Sequence, residues 1–160
     1  MAENFYQTVN FHFKVVFNTN VNTPAIAEFS PHKEIDIRFQ SVTGLDSTLD
    51  TEPVKEGGEN RYEHSVPTRR KYGPLLLKRG LITPAEKGIT AWLKKAFDEE
   101  KVQPVETVDI SLLDEEHNPL ITWTINNVWP KSWKIGELNA ERGEVLIETL
   151  ELNYNRLVIN

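Results

Sequence analysis

The sequence contains no cysteine. That removes disulfides, thiolate metal ligands and a cysteine nucleophile at once, and it fits a chain folded in a reducing compartment. Long apolar runs are missing too; nothing approaches the ~20 consecutive apolar residues of a membrane-spanning helix. The opening Met1-Ala2-Glu3-Asn4-Phe5-Tyr6-Gln7 lacks the charged-then-apolar order of a secretory signal. The expectation is cytoplasmic assembly without a signal peptide, and no direct membrane insertion by the free chain. Positive charge is scarce: 18 Lys and Arg stand against 24 Asp and Glu, a net charge of −6. An acidic chain is a poor candidate for gripping a nucleic-acid backbone.

The usual marks of catalysis are absent as well. The four histidines, His12, His32, His64 and His117, stand apart without metal-ligand spacing. There is no Gly-x-Ser-x-Gly elbow and no Gly-Lys-Ser/Thr phosphate loop. Gly57-Gly58 is flanked by Glu56 and Glu59, which would repel a phosphate, so it reads as a flexible loop tip. Asp114-Glu115-Glu116 lacks the alternating ligands and central glycine of an EF-hand and reads as a polar turn. No catalytic residue, no cofactor site and no metal site is expected, and the chain is not expected to be an enzyme.

What is present is alternation. The composition, 39% hydrophobic and 26% charged over 160 residues, suits one globular domain, 1–160. Phe11, Phe13, Val15 and Phe17 share one strand face. Residues 19–34 read as a loop with a short strand near 25–29. Ile35, Ile37 and Phe39 alternate with Asp36, Arg38 and Gln40 toward Thr43, and Gly44 breaks or bulges that strand. Strands are expected over 48–54, with Pro53 at an edge or bulge, over 61–68 and over 75–81, with Arg69-Arg70-Lys71 and a Gly73-Pro74 turn between the last two. Residues 105–113, 120–128 and 144–154 read as further strands, with a loop carrying Trp129 and Trp133 before the last.

One helix stands out. Thr83, Pro84 and Glu86 form a capping box with proline at the first helical position. Ile89, Trp92, Leu93, Ala96 and Phe97 then fall on one stripe, and burying Ile89, Leu93 and Phe97 would contribute roughly 1.5–3 kcal/mol each. Many short strands and one helix define the expected fold class. It is mainly β (β+α), an antiparallel β-barrel or sandwich with one α-helix on its flank.

Several strands are apolar on both faces: Val16 sits beside Val15, Leu76 between Leu75 and Leu77, and Leu113 beside Leu112. One helix covers one face of a small sheet, and a second apolar face calls for a partner. The basic cluster Arg69, Arg70 and Lys71 on an acidic chain fits pairing with acids of a neighbouring copy better than phosphate binding. A different class of reading uses Trp129 and Trp133 as a sugar-stacking platform on a carbohydrate-binding β-sandwich.

The order of three motifs carries a resemblance. They are Val42-Thr43-Gly44-Leu45; Glu56-Gly57-Gly58-Glu59-Asn60; and Lys71-Tyr72-Gly73-Pro74-Leu75-Leu76-Leu77-Lys78-Arg79-Gly80-Leu81. The helix with its Trp follows, then Asn127-Val128-Trp129-Pro130 and residues 144–152. The chain resembles, across residues 11–154, the tail-tube proteins of contractile phages and the inner-tube proteins of contractile injection systems, and is similar in fold to the hemolysin-coregulated protein family of type VI secretion. The stretch 19–34 is longer than that pattern leads one to expect. The resemblance implies a tail-tube-like domain that assembles with itself into hexameric rings, stacked into a hollow tube and driven through an envelope by a contracting sheath. The partners would be further copies, sheath and baseplate proteins, and cargo or nucleic acid in the lumen. The final location would be a phage tail or an injection particle, in some systems released from the cell. A tube-initiating or tube-capping paralogue would carry the same motifs. On this model the loop over 46–61 reaches an adjacent subunit or ring. Its candidate interface residues are Asp46, Lys55, Glu56, Gly57, Gly58, Glu59, Asn60 and Arg61, joined by Arg69, Arg70 and Lys71. Asp36, Arg38 and Gln40 are candidates for the channel lining.

Overall fold

The structure is a computed structural model, and it describes residues 12–18, 39–55, 57–58, 61–81, 88–141 and 143–160. The strand expected near 25–29, the alternation at Ile35 and Ile37, and the capping residues Thr83, Pro84 and Glu86 lie outside them. The described elements are β1 (Phe13–Asn18), β2 (Ser41–Thr43), β3 (Ser47–Val54), β4 (His64–Tyr72), β5 (Leu75–Gly80), α1 (Ile89–Phe97), β6 (Val105–Leu113), β7 (Pro119–Ile135), β8 (Ile147–Asn153) and β9 (Arg156–Ile159). Every strand pair is antiparallel. The expected class, antiparallel β with one helix, is the one that forms.

β7 organises the body. Its first part pairs with β6 on one side and β9 on the other, while its second part, from Trp129, pairs with β8. One sheet therefore runs β1-β6-β7-β9 and a second runs β7-β8-β5-β2. The strand passes between them through two local irregularities. Asn127 takes φ 54°, a left-handed conformation that Asn tolerates better than most residues. Lys131 is an extra residue, since Pro130 faces Leu152 and Ser132 faces Glu151. A bulge of this kind bends a strand and re-aims its side chains.

The core fills the space between the sheets. Val15, Phe17, Val108, Ile110, Ile125 and Leu157 come from the first sheet, Leu75, Leu77, Leu150 and Leu152 from the second, and Ile89, Trp92 and Leu93 from α1. The period-2 patterns found in the sequence are thus the inward faces of β1, β5, β6 and β8. The described helix begins at Ile89, after Gly88 with φ 89°, and the expected start at Thr83 lies outside the described residues. At its other end the helix differs from expectation. Phe97 is 42% exposed, because it is the last helical residue and the body ends there. Thr90 is buried in its place, held by a hydrogen bond from the Arg79 guanidinium at 3.1 Å.

That contact belongs to a buried polar cluster that sequence periodicity does not reveal. The Arg79 Nε–H donates to Glu148 Oε1, and both side chains are only 3% exposed. The other carboxylate oxygen, Oε2, accepts from the Trp133 indole at 2.8 Å, and the Arg79 guanidinium carbon lies 6.0 Å from the Phe39 ring centre. A charge pair so far from water is tolerable only when its remaining donors and acceptors are satisfied, and here they tie β5, β7, β8 and α1 together. Gly44 supplies a second tight joint. It has φ 92°, and a Cβ there would lie 2.0 Å from the Pro74 carbonyl oxygen, so only glycine fits where the chain leaves β2.

Three further expectations are corrected. The basic cluster does not lie between strands; Arg69, Arg70 and Lys71 are within β4, which runs on to Tyr72. The segment 46–61 is not chiefly a loop, since Ser47–Val54 is a full strand. The segment carrying Trp129 and Trp133 is not a loop either but the second part of β7, where Trp129 faces Asn153 and Trp133 faces Leu150.

Candidate functional site

Two surfaces set this molecule apart, one projecting and one flat. The projecting one is the hairpin of β3 and β4. Among the described residues these strands pair only with each other and with neither sheet of the body. Apart from Asp50 and Tyr72, every residue of both strands is exposed. Leu49, Val54 and Val66 are 57%, 44% and 46% exposed. A lone two-stranded hairpin is at best marginally stable in water, and exposed apolar side chains on it gain nothing until something covers them. Pro53 and Pro67 sit opposite Ser65 and Thr51, tolerated because, among the described residues, this ribbon has no further strand that would need their missing N–H groups.

The register of the arm is irregular at its charged part. Leu49 faces Arg70 but Thr51 faces Pro67, so Thr68 and Arg69 together oppose the single residue Asp50. The Thr68 hydroxyl donates to the Asp50 carbonyl at 3.1 Å, and the Asp50 carboxylate pairs with Lys71 Nζ at 2.5 Å. Lys71 is therefore engaged inside the arm, whereas Arg69 and Arg70 make no ion pair among the described residues. Nearer the tip, Lys55 lies 3.8 Å from Glu63.

The candidate interface residues fall as follows. Lys55, Gly57, Gly58 and Arg61 lie in or beside the turn that joins the two strands, and Arg69, Arg70 and Lys71 lie along β4. Asp46 sits at the root, its carboxylate 3.7 Å from where a Cβ on Gly73 would stand. Glu56, Glu59 and Asn60 are outside the described residues. So are Asp36 and Arg38 among the lining candidates. Gln40 is described and exposed, with its N–H bonded to the Lys78 carbonyl at 2.6 Å beside β2.

The flat surface is the outward face of the first sheet. The pairing register lays it out in three rows across the strands: Lys14, Ser111, Thr122 and Asn160; Val16, Asp109, Thr124 and Val158; Asn18, Thr107, Asn126 and Arg156. Only two of these twelve side chains are apolar, so the face offers hydroxyls and amides rather than a docking patch. The polar groups bond mainly to one another. Asp109 accepts from Asn18 at 2.6 Å and from Thr124 at 2.8 Å, Asn160 donates to Thr124 at 3.1 Å, and Ser111 and Thr122 share a bond of 3.0 Å. The alternation of Thr122, Thr124 and Asn126 signalled this in the sequence; the rows exist only once β1, β6, β7 and β9 are aligned.

Two turns show how local chemistry fixes the margins. Between β6 and β7 the Asp114 carboxylate accepts from the Asn118 and Glu116 N–H groups at 2.7 and 2.9 Å. These bonds, that of Asn118 foremost, hold the carboxyl below its ordinary range. On the second sheet Glu151 accepts from Lys131 and Ser132, and those hydrogen bonds lower its pKa in the same way. The sugar-stacking reading fails on geometry. The extra residue Lys131 turns Trp133 inward onto Glu148 and leaves Trp129 on the opposite face, so the two indoles share no platform.

An antiparallel body with a self-bonded polar face and an unsupported arm is the build of a structural subunit. Residues 9–158 match the family of the T4-like virus tail tube protein gp19, and the chain belongs to that family. No curated protein matches it. Among solved structures, a chain in the six-fold symmetrised anti-feeding prophage baseplate is 31% identical, with 100% of this chain and 97% of that one covered and a TM-score of 0.79. A chain of the extended sheath–tube complex of the extracellular contractile injection system PVC is 20% identical, with 97% and 92% covered and a TM-score of 0.73. An Hcp protein is 11% identical, with 92% and 97% covered and a TM-score of 0.54. The last two show a shared fold. The chain is thus a tail-tube protein of the kind found in phage tails and contractile injection particles, and it is not an enzyme. No described helix is long and apolar enough to cross a membrane.

Proposed function

We propose that this chain, acting as one domain, is the inner-tube subunit of a contractile injection system or phage tail. Six copies close into a ring, rings stack into a hollow tube, and a sheath drives that tube through a target envelope. The observation that carries this is the arm of β3 and β4, which buries almost nothing within its own chain although it is built as a paired two-stranded ribbon. Ordering it costs conformational entropy that contacts with neighbouring copies repay. A subunit with two different complementary surfaces closes rings sideways and extends filaments axially. Lys55, Gly57, Gly58 and Arg61 in the arm's turn, with Arg69 and Arg70 along β4, then lie at contacts between subunits or rings.

The channel wall in this reading is the polar face of β1, β6, β7 and β9. It suits that role better than the stretch around Gln40, because its hydroxyls and amides are already bonded to one another and offer a passing cargo or nucleic acid little to grip. Sheath and baseplate proteins are the outer partners. Assembly takes place in the cytoplasm, and the particle acts outside it. Electron microscopy of the purified protein across a concentration series tests the proposal. Rings or rods of constant diameter are expected, and dispersed monomers at every concentration overturn it.

A second reading has an observation of its own. The 31% identity is to a chain of a baseplate structure, against 20% for the chain of the sheath–tube complex. That favours a subunit of the first ring on the baseplate, an initiator rather than the repeating unit. Gold labelling of assembled particles separates the two: label along the whole shaft marks the repeating subunit, and label at one end marks the initiator.

A further inference from the structure

The turn between β7 and β8 holds the other half of a contact that the arm begins. Residues there form an open recess of about 270 Å³, lined among others by Glu137, Leu138, Glu144 and Val145. Leu138 and Val145 are 81% and 74% exposed, more than any other large apolar residue described. The segment 136–146 carries Glu137, Glu141 and Glu144 against the single Arg142, a net charge of 3 − 1 = 2 negative. It is an apolar spot ringed by negative charge.

The arm is its complement. Leu49 and Arg70 pair across the ribbon and share one of its faces; Leu49 is 57% exposed, and Arg70 has no acidic partner among the described residues. The two surfaces do not meet within one chain. The arm is rooted at the Leu75 end of β5, across the Gly73-Pro74 turn. The recess lies at the other end of the same strand: a Cβ on Gly80 would stand 3.2 Å from Val145, and the Leu81 N–H donates to the Leu146 carbonyl at 2.7 Å. A six-residue strand separates the two ends by about 17 Å. The eight residues of β3 span about 24 Å, enough to carry the arm beyond its own body.

We infer that the recess of one copy receives the arm of the next copy, with Leu49 covering Leu138 and Val145 and with Arg70, on the same face of the ribbon, facing Glu137 and Glu144. The contact is head-to-tail, because donor and acceptor lie at opposite ends of β5, and a head-to-tail contact that does not close on itself repeats along an axis. This rests on the tube reading and adds to it a named acceptor surface and a direction of growth. Charge complementarity selects the partner and its register, while covering the apolar side chains supplies the attraction.

Charge reversal tests it. R70E on the arm, or E137K with E144K in the recess, is expected to cut the sedimentable fraction at least tenfold while leaving the circular dichroism of the subunit unchanged. The three changes together are expected to restore assembly. Single reversals that assemble like the parent, or a combined variant that stays dispersed, overturn the inference. A second readout uses the absence of cysteine. The chain carrying L49C and V145C is expected to form a covalent ladder on oxidation, while either change alone yields dimers at most. Tubes that form without a ladder overturn the inference and leave the tube reading standing. Neither tubes nor ladder at any concentration overturns both.

Discussion

In the body, strands such as β6 and β8 alternate a buried with a half-exposed residue, and their inward side chains meet a core that this one chain completes. In the arm, two strands of comparable length leave nearly every residue exposed. Backbone pairing alone therefore does not separate a self-sufficient element from a dependent one. The body is stable because the inward faces of its two sheets bury each other. The arm has hydrogen bonds between its strands but no second layer, and net hydrogen-bond energies of about 1 kcal/mol each do not offset the entropy of ordering it. The body is finished by folding; in the proposed tube the arm is finished by assembly.

The contrast can be broken from the body's side first. Glu148→Ala leaves the buried Arg79 guanidinium without its carboxylate, and a loss of about 3–5 kcal/mol is expected, read as a lower denaturant midpoint of the dissociated subunit. A change below 1 kcal/mol there would mean that the cluster is not what joins helix and sheets. Next in size is Gly44→Ala, which puts a Cβ against the Pro74 carbonyl in a left-handed conformation. It is expected to cost at least about 1–3 kcal/mol and to loosen the root of the arm, visible as faster hydrogen exchange in β2 and at the start of β5.

From the arm's side, the expected pattern is reversed. Replacing residues 55–60 by a two-residue turn is expected to change subunit stability by no more than about 1 kcal/mol yet to stop elongation. Normal tubes from that variant would show that the arm tip makes no contact that matters. The smallest effect is a pH dependence on the body surface. The folded pKa of Glu151 is lowered by bonds from Lys131 and Ser132, so its contribution is present above the unfolded carboxyl value. It is lost as pH falls through the lowered folded value. Glu151→Gln is expected to flatten the acid limb of the stability curve, and an unchanged limb would deny the carboxylate this role.

Much of the body was legible in advance. The alternating runs at Val15 and Phe17, at Val108 and Ile110 and at Ile121, Trp123 and Ile125 became inward faces because a period-2 apolar pattern has one low-energy use in an antiparallel sheet. The break at Gly44 and the turn at Gly73-Pro74 were legible for equally local reasons. Strands of the arm were legible over 48–54 and 61–68, but their pairing with each other was not, since the glycines, prolines and charges around them carry turn signals while the register is set across the tip. The helix stripe misplaced Phe97 because periodicity gives a face but not where the body ends. The candidate contact residues 55–61 and 69–71 were readable as charge and flexibility, whereas the acidic recess at Leu138 and Val145 was not, as nothing in its own sequence says that it stands beside the far end of β5.

By itself, then, the order of residues determined the class of element and the inward side of most strands. Those properties depend on neighbours within a few positions, where sterics and hydrophobic alternation act directly. The three-dimensional structure alone decided that Arg79 meets Glu148 across 69 positions, that an extra Lys131 sends Trp133 inward and Trp129 outward, and that arm and recess occupy opposite ends of the subunit. Each of these is set by register and bulges between distant strands, and register is a minimum over the whole packed body rather than a property of any one segment.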